Sequence, residues 1–312
     1  METQKLAELE ALIKRQGEEI KELRAICRRM QMRALMPKEP WSEMSIDEFD
    51  VMSSLIHAPQ WPFAVEPYLI CNSTSEQDKK DRAEGIVDII IGGKSLKDMN
   101  FLDFGCGEGH VVKHSVIYEP KLSVGYDIVE SECWKSQANT MLTTNWNAVE
   151  KAGPYNAILV YDVIDHLEDK FEAIAILRKI KNVLAPEGKI FVRCHPWCSR
   201  HGTHLYHQLN KAYLHLIFNS EELKKLGLKE QNVMKVIHPL AVYGEIFREA
   251  GLNVKTKEIT TAPVEQFFMN VEVIAKRIKA NWSSSYEGDL ANGTRFPDKQ
   301  LEVQFVDYDL TA

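Results

Sequence analysis

The stretch Phe101-Leu102-Asp103-Phe104-Gly105-Cys106-Gly107-Glu108-Gly109-His110 decides the fold of this chain. The apolar approach over residues 100–104 predicts the end of a buried strand, and the two valines that follow His110 open a predicted helix. Glycine at every second position from 105 to 109 lets the backbone turn tightly and approach a bound molecule closely. Backbone amides at a helix start favour polar or negatively charged groups. The stretch therefore predicts a strand, a ligand-binding turn and a helix.

Further strands follow this turn in an alternating pattern. The segments 123–128, 140–143, 157–161 and 189–193 are the predicted strands two to five, and helical segments separate most of them. This alternation is typical of a doubly wound α/β fold with a parallel sheet. Strand two ends at Asp127, where an acid suits the two hydroxyls of a ribose.

The ordered motifs resemble those of class I S-adenosylmethionine-dependent methyltransferases. Residues 103–109 match that family's first motif, Asp127 matches its ribose-binding acid, and 162–169 resemble its fourth motif. Residues 184–188 resemble its L-x-P-G-G turn, with Glu187 in place of the first glycine. The resemblance covers about 81–278, and it implies a mostly parallel seven-stranded sheet with an antiparallel last strand.

The resemblance also implies S-adenosyl-L-methionine as the cofactor and a set of residues that bind it. These are Asp103, Gly105, Cys106, Gly107, Asp127, Ile128, Asn145, Trp146 and Asp162. Asn145 stands where the family usually has an acid that contacts the adenine amine. Trp146 has two interpretations, stacking on adenine or packing in the core. Cys106 is expected to be a small apolar filler rather than a nucleophile.

The totals exclude several classes of protein. The 312-residue chain has a formal net charge of −7 and a pI near 5.9, so it lacks the overall positive field that attracts nucleic acid. Six scattered cysteines without a C-x-x-C pair argue against a zinc ribbon or a disulfide scaffold. Neither a secretory apolar core nor a run of membrane-spanning length is present. A cytoplasmic protein without a membrane partner is expected, and association with a virion or other particle is the alternative.

The first 36 residues carry a heptad pattern of apolar residues. Mostly apolar residues recur in alternating steps of three and four from Leu6 to Met30, which predicts a coiled-coil helix. Gln16 and Gly17 weaken the middle of this seam. The pattern favours self-association or docking on a partner helix, and the alternative is a helix folded back on its own domain.

Four segments follow from these boundaries. The coiled-coil helix occupies 1–36, an aromatic-rich connector 37–80, and the methyltransferase domain 81–280. Within that domain, 194–235 form a predicted lid insertion and 271–277 a predicted last strand. A polar C-terminal tail is predicted for 281–312.

The motif at 162–167 constrains the methyl acceptor. It lacks the Asn/Asp-Pro-Pro-Tyr/Phe sequence of enzymes that methylate exocyclic base amines, and it lacks the Pro-Cys pair of cytosine methylation. It resembles the x-x-E-H-L variant of oxygen- and carbon-directed small-molecule methyltransferases. Its His166 suits a general base, because the unperturbed pKa of histidine lies near working pH, or it braces the helix entry.

The His-rich loop after strand five, 194–207, has three interpretations. In the first, it is a substrate lid in which His195 or His204 accepts a proton and Arg200 and Tyr206 bind the substrate. In the second, Asp162, Asp165 and His166 join a loop histidine around a divalent metal, which resembles small-RNA 2′-O-methyltransferases. In the third, the histidines form a hydrogen-bonded structural loop.

The sequence therefore predicts a methyltransferase that acts on an oxygen or nitrogen of a small molecule, sugar or nucleotide. The catalytic candidates are His166, His195 and His204, without a metal. One alternative is a structural or assembly protein that keeps the fold. The other is a metal-assisted RNA 2′-O-methyltransferase, although nucleic acid is not the favoured partner.

Overall fold

A computed structural model of the chain describes residues 48–65, 75–135, 137–167, 169–202, 204–229, 240–261, 274, 276–278 and 303–312. The predicted coiled-coil helix at 1–36 and much of the connector lie outside the described residues. Self-association through that helix therefore stays a prediction.

A seven-stranded sheet organises the described chain. Its strands are β1 (Asn100–Phe104), β2 (Leu122–Tyr126), β3 (Thr140–Thr143), β4 (Tyr155–Tyr161), β5 (Leu184–Cys194), β6 (Asn253–Thr261) and β7 (Val303–Thr311). They lie in the order β3-β2-β1-β4-β5-β7-β6. Strands β1 to β5 are parallel, and β7 is antiparallel to both of its neighbours. The predicted fold class is confirmed.

The identity of the antiparallel strand differs from the prediction. The sequence pattern predicts the last strand at 271–277, but residues 274 and 276–278 are helical. The strand comes instead from 303–311, within the segment predicted to be a polar tail. The alternation there buries Val306, Tyr308 and Leu310 in the core, so a two-residue period was present but diluted by acids.

The chain also forms α-helices. The described ones are α1 (Glu48–Leu55), α2 (Glu76–Gly85), α3 (His110–Ser115), α4 (Trp146–Ala152), α5 (Lys170–Lys181), α6 (Leu214–Ile217), α7 (Ser220–Lys225) and α8 (Leu240–Glu249). Side-chain caps start several of them. Ser75 accepts a hydrogen bond from the amide of Asp78 at the start of α2, and Asp169 accepts two from the first turn of α5.

The strands are apolar on both faces because both faces are covered. Leu102, Ile158 and Ile190 pack into one core, which includes the apolar sides of α5 and α8. Phe101 and Phe191, one residue out of phase, pack into a second core with the turn of π-helix at Ile86–Ile91. Such two-sided burial explains the continuous apolar runs that marked the strands in the sequence.

The chain divides into two compact units. One comprises Met1–Pro62, Leu216–Leu228 and Val264–Phe296, and the other comprises Phe63–His215, Lys229–Pro263 and Pro297–Ala312. The second contains the sheet and all the site residues considered below. Within the first, Trp61 stacks on Phe218 with 6.3 Å between ring centroids, and Arg277 binds the Glu222 carboxylate at 2.6 Å. Among the described helices, none is long and apolar enough to cross a membrane.

Candidate active site

The glycine turn after β1 is held against the end of β2. The amides of Gly105 and Cys106 donate to the carbonyl oxygen of Tyr126 at 2.8 and 3.1 Å. Gly105, Gly107 and Gly109 have φ values of 80°, 51° and 75°, a region that side chains other than glycine rarely adopt. The three glycines are therefore required by the backbone path itself.

The acid after β2 points at this turn. The Asp127 carboxylate accepts hydrogen bonds from the amide of Gly107 at 2.8 Å and from the amide of Val129 at 3.2 Å. Trp134 reaches the same turn and donates to the carbonyl oxygen of Gly107 at 2.7 Å. Ile128, next to the acid, is 82% exposed. The structure therefore brings Asp127 and the turn together at adjacent strand ends.

Asp103 lies directly beneath this turn, near the end of β1. Its side chain is 3% exposed. Burial, followed by the nearby charge of Asp127, raises the pKa of Asp103 to about 7, and the Arg82 guanidinium opposes this rise. A cationic group bound beside this carboxyl would favour its ionised form and lower its pKa again.

Two further residues predicted to bind the cofactor are Cys106 and Asn145. Cys106 is buried, and burial raises the pKa of its thiol far above the usual value. Asn145 caps α4, because its side-chain oxygen accepts from the amide of Asn147 at 3.0 Å. Asn145 is exposed at that position.

Trp146 lies in the core, so the expectation that it stacks on adenine is corrected. Its ring packs edge-on against Phe104 and Tyr126, and Lys179 lies 4.3 Å from its centroid. Its indole nitrogen donates to Glu150 at 2.8 Å. The first turn of α4 directs this side chain under the sheet, so the core interpretation is the one observed.

Asp162 directly follows β4 and has a left-handed backbone conformation with a φ of 51°. One oxygen of its carboxylate lies 3.6 Å from the guanidinium of Arg82, and the other is buried without a hydrogen-bond partner among the described residues. Burial and the adjacent Asp165 raise the pKa of this carboxyl. Non-glycine residues in this region cost free energy and concentrate at functional sites.

Three histidines surround Asp165, which follows β4 on a turn of 3-10 helix (Ile164–His166). Its Oδ2 atom lies 3.6 Å from Nε2 of His166, 3.6 Å from Nδ1 of His195 and 3.8 Å from Nε2 of His204. Asp165 is fully buried, His195 and His204 are mostly buried, and His166 is 59% exposed. The three predicted catalytic histidines therefore share one carboxylate.

Burial sets the charge state of this cluster. It lowers the pKa of His204 to about 4 and that of His195 well below its usual value. It raises the pKa of the Asp165 carboxyl. The two loop imidazoles are consequently neutral at neutral pH.

The ligand set predicted for the metal alternative is assembled differently. Asp165 and His166 are adjacent, but the Asp162 carboxylate faces Arg82. Two groups of described residues have ligand atoms within 4.8 Å of one another, and the one in this region is Asp165, His195 and His204.

The predicted substrate residues Arg200 and Tyr206 lie together. Both line a narrow recess with His201 and Lys211. The Tyr206 ring is 5.8 Å from that of His204, so the recess borders the histidine cluster. Substrate binding by these two side chains stays a prediction.

Sequence reasoning missed Arg82 and the pair Arg193–Asp307. Arg82 on α2 lies 5.2 Å from the ring centroid of Tyr161 as well as near Asp162. Arg193 on β5 donates to both carboxylate oxygens of Asp307 on β7 at 2.6 and 2.7 Å. In both ion pairs, Arg82–Asp162 and Arg193–Asp307, the two residues are far apart in the sequence. A basic residue alone does not indicate which acid it will contact.

The residues at the glycine turn fit a nucleoside cofactor. Gly105 and Gly107 are exposed, and a Cβ atom built on Gly107 would meet no atom within 4 Å, so the turn has an open face. A carboxylate has about four lone-pair positions, so Asp127 retains acceptor capacity for hydroxyls beside its two amide contacts. The buried Asp103 carboxyl lies on the same edge and ionises more readily when a cationic group is bound beside it.

Comparisons with known proteins agree with this geometry. A family model described as a methyltransferase domain matches residues 79–255, which is more than half of the chain. The ubiquinone biosynthesis O-methyltransferase of Neisseria meningitidis serogroup C (strain 053442) is 26% identical over 187 residues, covering 58% of this chain and 76% of that protein.

Solved structures with a similar fold include two enzymes at low identity. Mycolic acid cyclopropane synthase CmaA1, solved with SAH and CTAB, aligns with a TM-score of 0.46 and 12% identity over 85% of this chain and 95% of that one. Magnesium protoporphyrin IX methyltransferase ChlM from Synechocystis PCC 6803, solved with bound SAH, aligns with a TM-score of 0.43 and 12% identity. The alignment covers 85% of this chain and 97% of that one. The family model carries the assignment: the chain belongs to the methyltransferase-domain family and is a class I S-adenosylmethionine-dependent methyltransferase.

Proposed function

We propose that this enzyme transfers a methyl group to an oxygen or nitrogen of a small molecule, sugar or nucleotide, with oxygen as the favoured acceptor. The observation that carries the proposal is the adjacency of two groups. Val163, between Asp162 and the histidine cluster, packs so closely on Gly105 that a Cβ atom there would lie 2.5 Å from it. A cofactor on the glycine turn and an acceptor at Asp165 would therefore be neighbours.

Asp127, Gly105, Gly107 and Asp103 are the residues that would hold the cofactor. Asp127 binds the ribose hydroxyls, and the buried carboxyl of Asp103 favours the cationic end of the methionine moiety. S-Adenosylmethionine supplies a methyl group already activated by its sulfonium, so the chain must align the acceptor and remove its proton. Trp146 has no place in this set.

His166 is the residue proposed to accept the acceptor's proton. It is exposed enough to touch a substrate, whereas His195 is 3% exposed and acts as a positioning residue for Asp165. The Asp165 carboxylate, 3.6 Å from His166, stabilises the imidazolium that forms when His166 takes a proton. The similarity to an O-methyltransferase supports an oxygen acceptor.

Transfer from S-[methyl-³H]adenosylmethionine to panels of phenols, carboxylic acids, ribosides and amines tests this function. We expect label in at least one hydroxyl-bearing class, and a His166→Gln variant should lose roughly 10² to 10⁴-fold in kcat. His207→Gln is the matched control, because it removes an exposed histidine of the neighbouring His-rich loop that is outside the Asp165 cluster. Equal rates for the two variants would remove His166 from the mechanism. Absence of label in every class, despite cofactor binding, would favour the assembly-protein alternative.

We also propose that the heptad pattern of 1–36 mediates self-association. The support is the sequence alone, since an apolar seam of this length needs a partner to cover it. Sedimentation equilibrium of the full chain and of a variant lacking 1–36 tests this. A monomeric full chain would contradict it.

A further inference from the structure

The Asp165 carboxylate lacks the contacts that a buried charge requires. The side chain is 0% exposed, and neither of its oxygens has a hydrogen-bond partner among the described residues. An unsatisfied buried polar group destabilises a folded protein, and a charged one does so more strongly. The ionised Asp165 carboxylate would therefore be stabilised by a hydrogen-bond donor or a cation, and the described side chains around it do not supply one.

The three nearby imidazoles do not satisfy it by hydrogen bonding. Their nitrogens stand 3.6 to 3.8 Å from Oδ2, whereas N–H···O hydrogen bonds are about 2.7 to 3.2 Å long. The spacing is wide for a hydrogen-bonded network and leaves room between the polar atoms.

The spacing fits a metal ion. The ligand atoms of Asp165, His195 and His204 all lie within 4.8 Å of one another. Two ligands of a tetrahedral ion are separated by about 3.3 Å when each is about 2.0 to 2.1 Å from the metal. A contraction of a few tenths of an ångström would bring Oδ2 and the nearer imidazole nitrogens to that separation.

We propose that Asp165, His195 and His204 form a binding site for a divalent transition-metal ion. Two imidazoles and one carboxylate favour zinc, cobalt or ferrous iron over magnesium or calcium, which prefer oxygen ligands. Neutral imidazole and ionised carboxylate are the forms that bind metals. Three protein ligands leave a coordination position open, as catalytic sites do.

A second acidic cluster provides a useful contrast. Glu76, Glu108 and His110 also lie within reach of one another, but Glu108 pairs with Lys79 at 2.6 Å and with His110 at 2.9 Å. Its charge is therefore satisfied without an ion, and Glu76 is exposed. Asp165 has neither feature.

The role of the ion rests on the proposed function. Its ligands follow β4 and β5, at the sheet edge that also carries the glycine turn, where the acceptor must approach the cofactor. An acceptor hydroxyl bound there would have its pKa lowered, which makes it easier for His166 to remove the proton. Asp165 and the two loop histidines would then be ligands, and His166 would remain free to act on the bound hydroxyl.

Cobalt binding to the chelator-treated full-length protein tests the site, because Co²⁺ in a site of low coordination number has visible absorption bands. We expect about one equivalent bound by wild type and by His207→Gln, and affinity weaker by more than roughly 100-fold in Asp165→Asn and His204→Gln. Zinc should also raise the unfolding temperature of wild type but not of these two variants. Circular dichroism verifies that the variants fold. If Asp165→Asn does not fold, His204→Gln is the variant that tests the site.

The outcomes separate the metal site from the proposed function. No cobalt binding by wild type at millimolar ion, or binding that survives both substitutions, overturns the metal site. Calorimetry with S-adenosylmethionine on the metal-free protein is the independent measurement. Cofactor binding without metal binding leaves the proposed function standing, whereas absence of cofactor binding overturns that function whatever the metal does.

Discussion

The Asp127 carboxylate and the Gly107 amide are joined by a hydrogen bond of 2.8 Å, so the acid after β2 and the turn after β1 form one structure. The two strands are parallel neighbours, and Phe104 pairs with Tyr126 at the end where both features emerge. The turn and the acid are thereby held in place before any ligand arrives. Preorganisation of this kind reduces the entropic cost of binding.

The Gly105→Ala substitution should impair both folding and cofactor binding. A methyl group there would meet the Val163 side chain at 2.5 Å, and the φ of 80° disfavours any side chain. We expect a loss of about 1 to 3 kcal/mol in the free energy of unfolding, measured by urea denaturation.

Gly92→Ala is the matched control for that variant. Gly92 has a φ of 75°, but a Cβ atom built on it meets nothing within 4 Å. The Gly92→Ala variant should lose stability only through its strained backbone conformation, and it should bind S-adenosylmethionine with wild-type affinity. Similar losses of cofactor affinity in both variants would contradict the role of the Gly105–Val163 contact.

The Arg193–Asp307 ion pair should stabilise the junction of β5 and β7. Asp307 is 3% exposed at its side chain and Arg193 17%, so removing one partner leaves a poorly solvated charge. Arg193→Ala should lower the free energy of unfolding by about 3 kcal/mol. The Arg193→Ala/Asp307→Ala double variant should lose less than the sum of the two single losses, and additive losses would show that the pair is not coupled.

The pKa of Asp103, raised to about 7 by burial, predicts a pH dependence of stability. Between about pH 4 and pH 7 the folded protein keeps a proton that the unfolded chain has released, so this carboxyl contributes stability that is lost as pH rises. In cofactor-free protein, the stability of wild type relative to Asp103→Asn should fall by up to about 4 kcal/mol from pH 4 to pH 8. Parallel curves for the two proteins would mean that Asp103 titrates normally.

The local features of the fold were predictable because each is determined by a short segment of sequence. The glycine turn, the acid after β2 and the short strand β3 at Thr140–Thr143 each depend on a few adjacent residues. The strand β7 was missed, since its acids Asp307 and Asp309 read as a polar tail. Asp307 is buried only because Arg193, more than a hundred positions away, pairs with it.

The site was partly predictable for a related reason. Ends of adjacent parallel strands meet at one edge, so the sequence order placed Asp165 and His195 near each other. The orientation of side chains depended on packing instead. Trp146 turned into the core against Tyr126, and Asp162 turned toward Arg82, a helix residue that no motif marks.

Titration of S-adenosylmethionine into wild type, Asp127→Ala and Glu130→Ala by calorimetry tests the central claim most directly. Glu130 is an exposed acid three residues further along the same loop and serves as the control. Wild type and Glu130→Ala should bind the cofactor alike, and Asp127→Ala should bind about 10 to 100-fold more weakly because the ribose loses its acceptor. Unchanged affinity in Asp127→Ala, or no binding by wild type at millimolar cofactor, would contradict the account.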